Sequence, residues 1–224
     1  VSERNSVGFT KAITIKDSIN PSTTQYNNRQ VDRDKYFNYG SEARLSTKYN
    51  LFKKEHIVAA GIRAYRGNTE RRQQGIGTVK SDFDLTLMDD NYQRTADYTI
   101  NNYAFFAENI FQLTKRLKVV PGFRIEYIEN TANGIINIHQ PSSAYKDKRI
   151  REIFLYGVGG EFLVTESTNL YANYSLAYRP VTFSELTPSA TTDIIDPNLK
   201  DASGYNADLG YRGALKNFLN FDIG

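Results

Sequence analysis

The sequence predicts an all-β protein, an antiparallel transmembrane β-barrel of which about nine strands are present. Three observations predict it. Segments of ten or more residues alternate apolar and polar side chains with the period of two that a strand imposes. Such lengths match the ~9–11 residues that cross a bilayer at a tilt, whereas globular strands are nearer ~5–6. The connections also alternate: those after Asn50, Leu113, Val164 and Arg212 are short, and those after Ile15, Arg66, Glu129 and Arg179 are long. Short turns at one rim and long loops at the other are the habit of an outer-membrane barrel. A β-sandwich has no reason to sort its loops that way.

In chain order, Val7–Ile15 reads as a strand blurred by Lys11, and residues 16–35, polar around Pro21, as an exposed loop. Tyr36–Asn50 has the cleanest alternation. Phe37, Tyr39, Ala43, Leu45 and Tyr49 share one face, and Asn38, Gly40, Glu42, Arg44, Ser46, Lys48 and Asn50 the other. A face so charged cannot line a dry core, but it can line a water-filled lumen. His56–Arg66 returns, with Val58, Ala60, Ile62 and Ala64 opposite Ala59, Gly61, Arg63 and Tyr65. Gly67–Asp97 is a polar stretch, longer than compact domains leave unstructured, whose middle, Phe83–Met88, suggests a hairpin rising out of the membrane.

Tyr98–Leu113 descends with Tyr103, Phe105, Ala107 and Phe111 outward. Lys118–Glu129 ascends with Val119, Phe123, Ile125 and Tyr127 outward, although Pro121 lacks a ladder donor. After a loop over 131–148, Ile150–Leu163 descends with Phe154, Tyr156, Val158 and Phe162 outward. Asn169–Arg179 and Ser203–Arg212 place Leu170, Tyr174, Leu176, Tyr205, Leu209 and Tyr211 on lipid, against Asn173, Ser175, Asn206 and Asp208 on water. Phe218–Gly224 begins one more strand. An odd, unclosed set would leave backbone donors unpaired in lipid, so a segment of a larger barrel is expected.

Composition excludes several classes. No apolar run approaches the ~18 residues of a transmembrane helix. With no cysteine, disulfides and thiol chemistry are excluded, which fits an exported protein. A net charge of +3, dispersed along the chain, gives no case for nucleic acid. Val1 is not a start methionine, so a longer precursor is expected.

No catalytic constellation emerges, and neither enzyme activity nor a cofactor is expected. His56 and His139 read as separate surface histidines. Asp82, Asp84, Asp89 and Asp90 read as a solvated acidic loop, because the glycine and closing glutamate of a calcium loop are missing. Ser184-Glu185 has no histidine at a suggestive position. Gly157, Gly159 and Gly160 sit inside a strand with no helix behind them to hold a phosphate.

Two stretches carry a family resemblance. The run NLYANYSLAYRP, a loop with Phe183, Glu185, Leu186 and Pro197-Asn198-Leu199-Lys200, and then SGYNADLGYR resemble the late-barrel region of TonB-dependent outer-membrane receptors. Asp208 and Leu209 stand where many members have Glu and a larger residue. AFFAENIFQLTKRLKVVPGFRIE, Ala104 to Glu126, resembles the family's YxQDxxxLTxxLxLxPGxRxE hairpin, whose proline matches Pro121. The resemblance, nearest to the iron(III) dicitrate and siderophore type, implies a barrel of about 22 strands around an N-terminal plug domain. Residues 1–224 would be a segment of the C-terminal barrel domain, with the plug and the final strands lying elsewhere. It further implies a Gram-negative outer membrane, and loops that capture a scarce ferric chelate. The plug would then rearrange when TonB pulls, with this segment as wall and rim. A passive porin-like or secretion barrel, and a soluble β-sandwich carbohydrate-binding protein, are the alternatives.

The candidate ligand site is basic. Arg66, Arg71 and Arg72, followed by Gln73 and Gln74, open the longest loop, and Arg63 and Arg179 face the lumen near the outer rim. A guanidinium's planar fork holds both oxygens of a carboxylate, so these residues suit an anionic iron chelate. The competing reading is a loop charged for solubility and for lipopolysaccharide in the surrounding outer-membrane lipid, with Glu70 offsetting part of the charge.

Overall fold

The computed structural model describes residues 2–8, 19, 21–80, 83–135, 144–186, 196, 198–215 and 218–224. Within them lie β1 (Ser2–Gly8), β2 (Gln30–Leu51), β3 (Lys54–Gly77), β4 (Leu87–Gln112), β5 (Leu117–Ile135), β6 (Ala144–Leu163), β7 (Thr168–Arg179), β8 (Ala202–Leu215), β9 (Leu219–Ile223) and a one-turn helix α1 (Phe183–Leu186). The strands form one sheet in chain order, each antiparallel to the next. The expected all-β class is borne out, and the sheet is open. A sandwich would need a second sheet over Tyr174 and Leu176. All nine strands share a single sheet instead, and Tyr174 stays 37% exposed.

Register fixes the two faces. Ala43 stands opposite Ile62, Ile62 opposite Phe105, Phe105 opposite Ile125, and Ile125 opposite Phe154. This outer face is apolar yet uncovered, with Leu45 and Leu209 each 71% exposed. Its rings meet across strands: Phe105 and Phe123 at 5.8 Å, Phe123 and Phe154 at 6.1 Å, Tyr174 and Tyr205 at 5.8 Å. Tyr39 and Tyr49 bracket the band on β2; ten residues at ~3.3 Å on a strand tilted ~40° rise ~25 Å, the height of a barrel's apolar belt.

The short-turn rim is tightly tied. Phe52 and Lys53 both adopt positive φ (51° and 59°), the two-residue turn whose twist matches a hairpin. His56 departs from its expected place on the surface. It is buried beside Tyr49 and Phe111, accepts the Gln112 N–H at Nδ1 (3.1 Å) and meets the Leu51 carbonyl through Nε2 (3.1 Å). With Nδ1 accepting, Nε2 is the ring nitrogen placed to donate to the Leu51 carbonyl. Pro121 does sit within β5, opposite Val158, and the pairing with β4 skips that position between Gly122 and Val119.

At the other rim the strands run further than the sequence indicates. β3 continues to Gly77 and β4 starts at Leu87, so most of the expected 67–97 loop is ladder. The hairpin placed at Phe83–Met88 is therefore the tip of β3 and β4 themselves. Asp84 clips the tip by accepting from Thr78 Oγ1 (2.7 Å) and Thr86 N–H (3.1 Å), and these bonds bring its pKa down to about 2. Likewise β2 begins at Gln30 and β5 extends to Ile135. The first strand is Ser2–Gly8, and the remainder of the expected Val7–Ile15 strand lies outside the described residues, as do His139, Asp82 and Pro197.

Candidate functional site

The inner face builds up in three tiers. At the short-turn mouth Lys48 pairs with Glu55 at 2.8 Å, Arg212 reaches Glu161 at 3.7 Å and Asn169 Oδ1 at 3.1 Å, and Tyr171 donates to Asp222 at 3.0 Å. Halfway up, the Phe106 ring lies across Gly61, where a Cβ would come within 2.5 Å of the ring; only glycine admits it. The guanidiniums of Arg44 and Arg124 stand 5.7 and 5.5 Å from the Phe106 centroid, paired with Glu42 and Glu126. Arg63 lies 5.8 Å from the Tyr65 ring, exposed, with no carboxylate in ion-pair range among the described residues.

The upper tier is partly roofed. β6 and β7 pair only between Gly157–Leu163 and Asn169–Ser175, and above that they part. The chain after β7 crosses this gap and then the inner face. Val181 is buried, its carbonyl accepts from Arg151 Nη2 (3.2 Å), and Phe183 stacks on Tyr98 of β4 at 5.7 Å. Asp201 closes the strap by accepting from Arg151 Nε (2.6 Å), Arg151 Nη2 (2.9 Å) and the Val181 N–H (2.8 Å). The Arg151 contact, more than the others, holds its carboxyl well below the usual carboxylate range. Beneath the strap Arg71 stands 6.0 Å from the Tyr98 ring and pairs with Asp34 at 3.2 Å, and Tyr36 donates to the same carboxylate at 3.3 Å.

The expected site residues do not form one cluster. Arg63 and Arg71 both face inward, eight residues or roughly 26 Å apart along β3. Gln73 sits opposite Arg94 beside a bulge where Gln74 has φ 61° and donates its N–H to Asp32 (2.8 Å). Arg179 pairs with Glu185, whose carboxyl is held low by the Thr182 N–H first and by Arg179 second. Arg66 and Arg72 point outward, opposite Tyr39 and Arg33, and Arg72 pairs with Asp97 at 2.7 Å. Sequence reading missed Asp34, Tyr98, Arg151 and Asp201, because their partners lie 37, 85, 50 and 50 positions away. Among the described residues no group of His, Cys, Asp or Glu could hold a metal ion.

Residues 3–224 match the family described as TonB dependent receptor-like, beta-barrel. The chain belongs to the TonB-dependent receptors. Their members are outer-membrane β-barrel transporters of Gram-negative bacteria rather than enzymes. Solved structures share the fold: the unliganded ferric citrate transporter FecA at 20% identity and TM-score 0.67, covering 84% of this chain and 27% of FecA. The siderophore receptor PiuA from Acinetobacter baumannii matches at 15% and 0.62 over 87% of this chain and 31% of its own. The copper transporter OprC matches at 17% and 0.62 over 84% and 29%. This chain of the TonB-dependent receptor family thus spans less than a third of those proteins. No curated protein matches it in sequence.

Proposed function

We propose that this chain is wall and rim of an outer-membrane receptor that imports an anionic iron chelate, a siderophore or ferric-citrate-like complex, driven by TonB acting on a plug domain. Arg63 carries the reading: an exposed guanidinium on the lumen side with no carboxylate partner among the described residues, which suits a carboxylate-bearing ligand. Arg71 above it, with Gln73 and Arg179 at the rim, extends the same chemistry. Similarity to a ferric citrate transporter and a siderophore receptor supports the cargo class.

The test uses the full-length receptor. Arg63→Ala combined with Arg71→Ala is expected to weaken ferric citrate binding by calorimetry about tenfold, ~1.4 kcal/mol, and to leave a neutral chelate unaffected. Unchanged affinity for every anionic chelate tried would remove the site. Radiolabelled iron uptake that continues in cells lacking TonB would instead favour a passive pore.

A further inference from the structure

The upper and lower arginines of the inner face differ in what already answers them. Arg63 is exposed and has no carboxylate in ion-pair range among the described residues. Arg71 is largely covered, its side chain 21% exposed, and it has two internal partners. Asp34, directly opposite on β2, accepts from its Nε at 3.2 Å, and the Tyr98 ring lies 6.0 Å from its guanidinium. Asp34 is itself buried and takes a second bond from the Tyr36 hydroxyl at 3.3 Å. Tyr98 in turn is stacked on Phe183 at 5.7 Å, with the ring planes 21° apart. The charge and the ring that this tier would offer an incoming chelate are therefore both engaged from within.

Phe183 reaches Tyr98 because the strap is held. From β7 to β4 the sheet spans three inter-strand steps, at least ~14 Å, and the four residues from Arg179 to Phe183 extend about as far, so the crossing leaves little slack. Its anchor is one ion pair. Arg151 donates to Asp201 and to the Val181 carbonyl, Asp201 accepts from the Val181 N–H, and Val181 is buried between them. Tyr178 donates to the same carboxylate. Beyond the anchor α1 is tied to itself: Glu185 accepts from the Thr182 N–H and Oγ1 at 2.8 and 3.0 Å and pairs with Arg179. This stiff turn meets β4 through the Phe183 ring.

We propose that the strap is an autoinhibitory cover, with Phe183 seated on the ring that flanks Arg71 and the Arg151–Asp201 pair keeping the cover down. A ligand entering from the long-loop rim meets this tier first, with Arg63 roughly 26 Å below along β3. It has to lift Phe183 before Arg71 is open to it, so its apparent affinity is scaled by the fraction of molecules whose strap is raised. An aromatic stack of this kind holds that fraction down about two- to tenfold. The inference rests on the reading of this face as the path of an anionic chelate.

The test treats the purified full-length receptor with phenylglyoxal, which modifies accessible guanidiniums, and reads each arginine by peptide mass spectrometry. Phe183→Ala should speed modification of Arg71 about twofold or more and leave Arg66, on the outward face, unchanged. Asp201→Asn loosens the strap without altering the ring, and should act on Arg71 in the same direction. Calorimetry should show ferric citrate binding about two- to tenfold tighter to Phe183→Ala than to wild type. Heat-modifiable migration reports folding; if Phe183→Ala misfolds, Asp201→Asn decides the matter on both measurements. Unchanged reactivity at Arg71 overturns the proposal. Ferric citrate binding that Phe183→Ala weakens or leaves as it was overturns it too, because the ring would then be a ligand contact or a bystander. Faster modification of Arg71 with no ferric citrate bound by either protein supports the cover and counts against the cargo, so cover and cargo fail separately.

Discussion

Below the level of Tyr39 the two faces of each strand meet different solvents; above it they meet the same one. β3 carries both regimes. From Ile57 to Tyr65 its outward side chains are Val58, Ala60, Ile62 and Ala64, while Arg63 and Tyr65 look inward. From Arg66 to Gln73 the outward set is Arg66, Asn68, Glu70 and Arg72, and the inward set Gly67, Thr69, Arg71 and Gln73. The ladder to β4 runs through both without a break until Gly75. Strand formation there depends on backbone pairing with a neighbour already in register, while side-chain alternation depends on the solvent each face meets. The lower region is held by the bilayer's intolerance of unpaired backbone. Above it, particular side-chain ties, the Asp84 clip and the Asp201 strap, do the holding.

The comparison breaks most visibly at Leu45, which lies outward near the middle of the apolar band. Leu45→Arg should destabilise the folded receptor by about 2–4 kcal/mol, the range for a cation facing lipid at mid-depth. Equilibrium urea titration in lipid vesicles measures it. An unchanged midpoint would mean that the face is not lipid-exposed.

Asp201→Asn tests the upper regime. It removes the charge that Arg151 and the Val181 N–H share, and Arg151 is itself buried, so a loss of about 1.5–3 kcal/mol is expected. The loss should be local. Amides of residues 181–186 should exchange faster with deuterium, whereas those of the lower β2–β3 ladder should not. Because Asp201 is held below its unfolded pKa, its contribution is fully present above that value, about 3.9, and disappears as pH falls through the lower folded one. In wild type, protection of the strap should therefore hold at pH 5–7 and fail only under strong acid. Failure near neutrality would point to another group.

The same division decides what was legible in the sequence. Faces, turns and strand order below Tyr39 follow from Tyr39 to Tyr49, Val58 to Ala64 and Phe154 to Phe162, where hydrocarbon on one side enforces a period of two. Above it, Glu70-Arg71-Arg72-Gln73 is polar on both faces and reads as loop, although β2 and β4 hold it as strand. That misreading also merged the basic residues into a single cluster, since parity has no meaning in a loop. Once the ladder is known, Arg66 and Arg72 fall on one side and Arg63 and Arg71 on the other. The strap was illegible for a different reason: Arg151 and Asp201 are 50 positions apart, and neither belongs to a local pattern.

The smallest effect should come from Arg66→Gln, and its smallness sharpens the contrast. Arg66 shares its face with Ile62, one pair of residues beyond Ala64, yet it sits where that face leaves hydrocarbon. It is exposed and forms no ion pair among the described residues, so removing its charge should change stability by less than about 0.5 kcal/mol. The urea midpoint that Leu45→Arg shifts should therefore stay fixed. A destabilisation comparable to that of Leu45→Arg would place Arg66 inside the apolar band and move the boundary between the two regimes upward along β3.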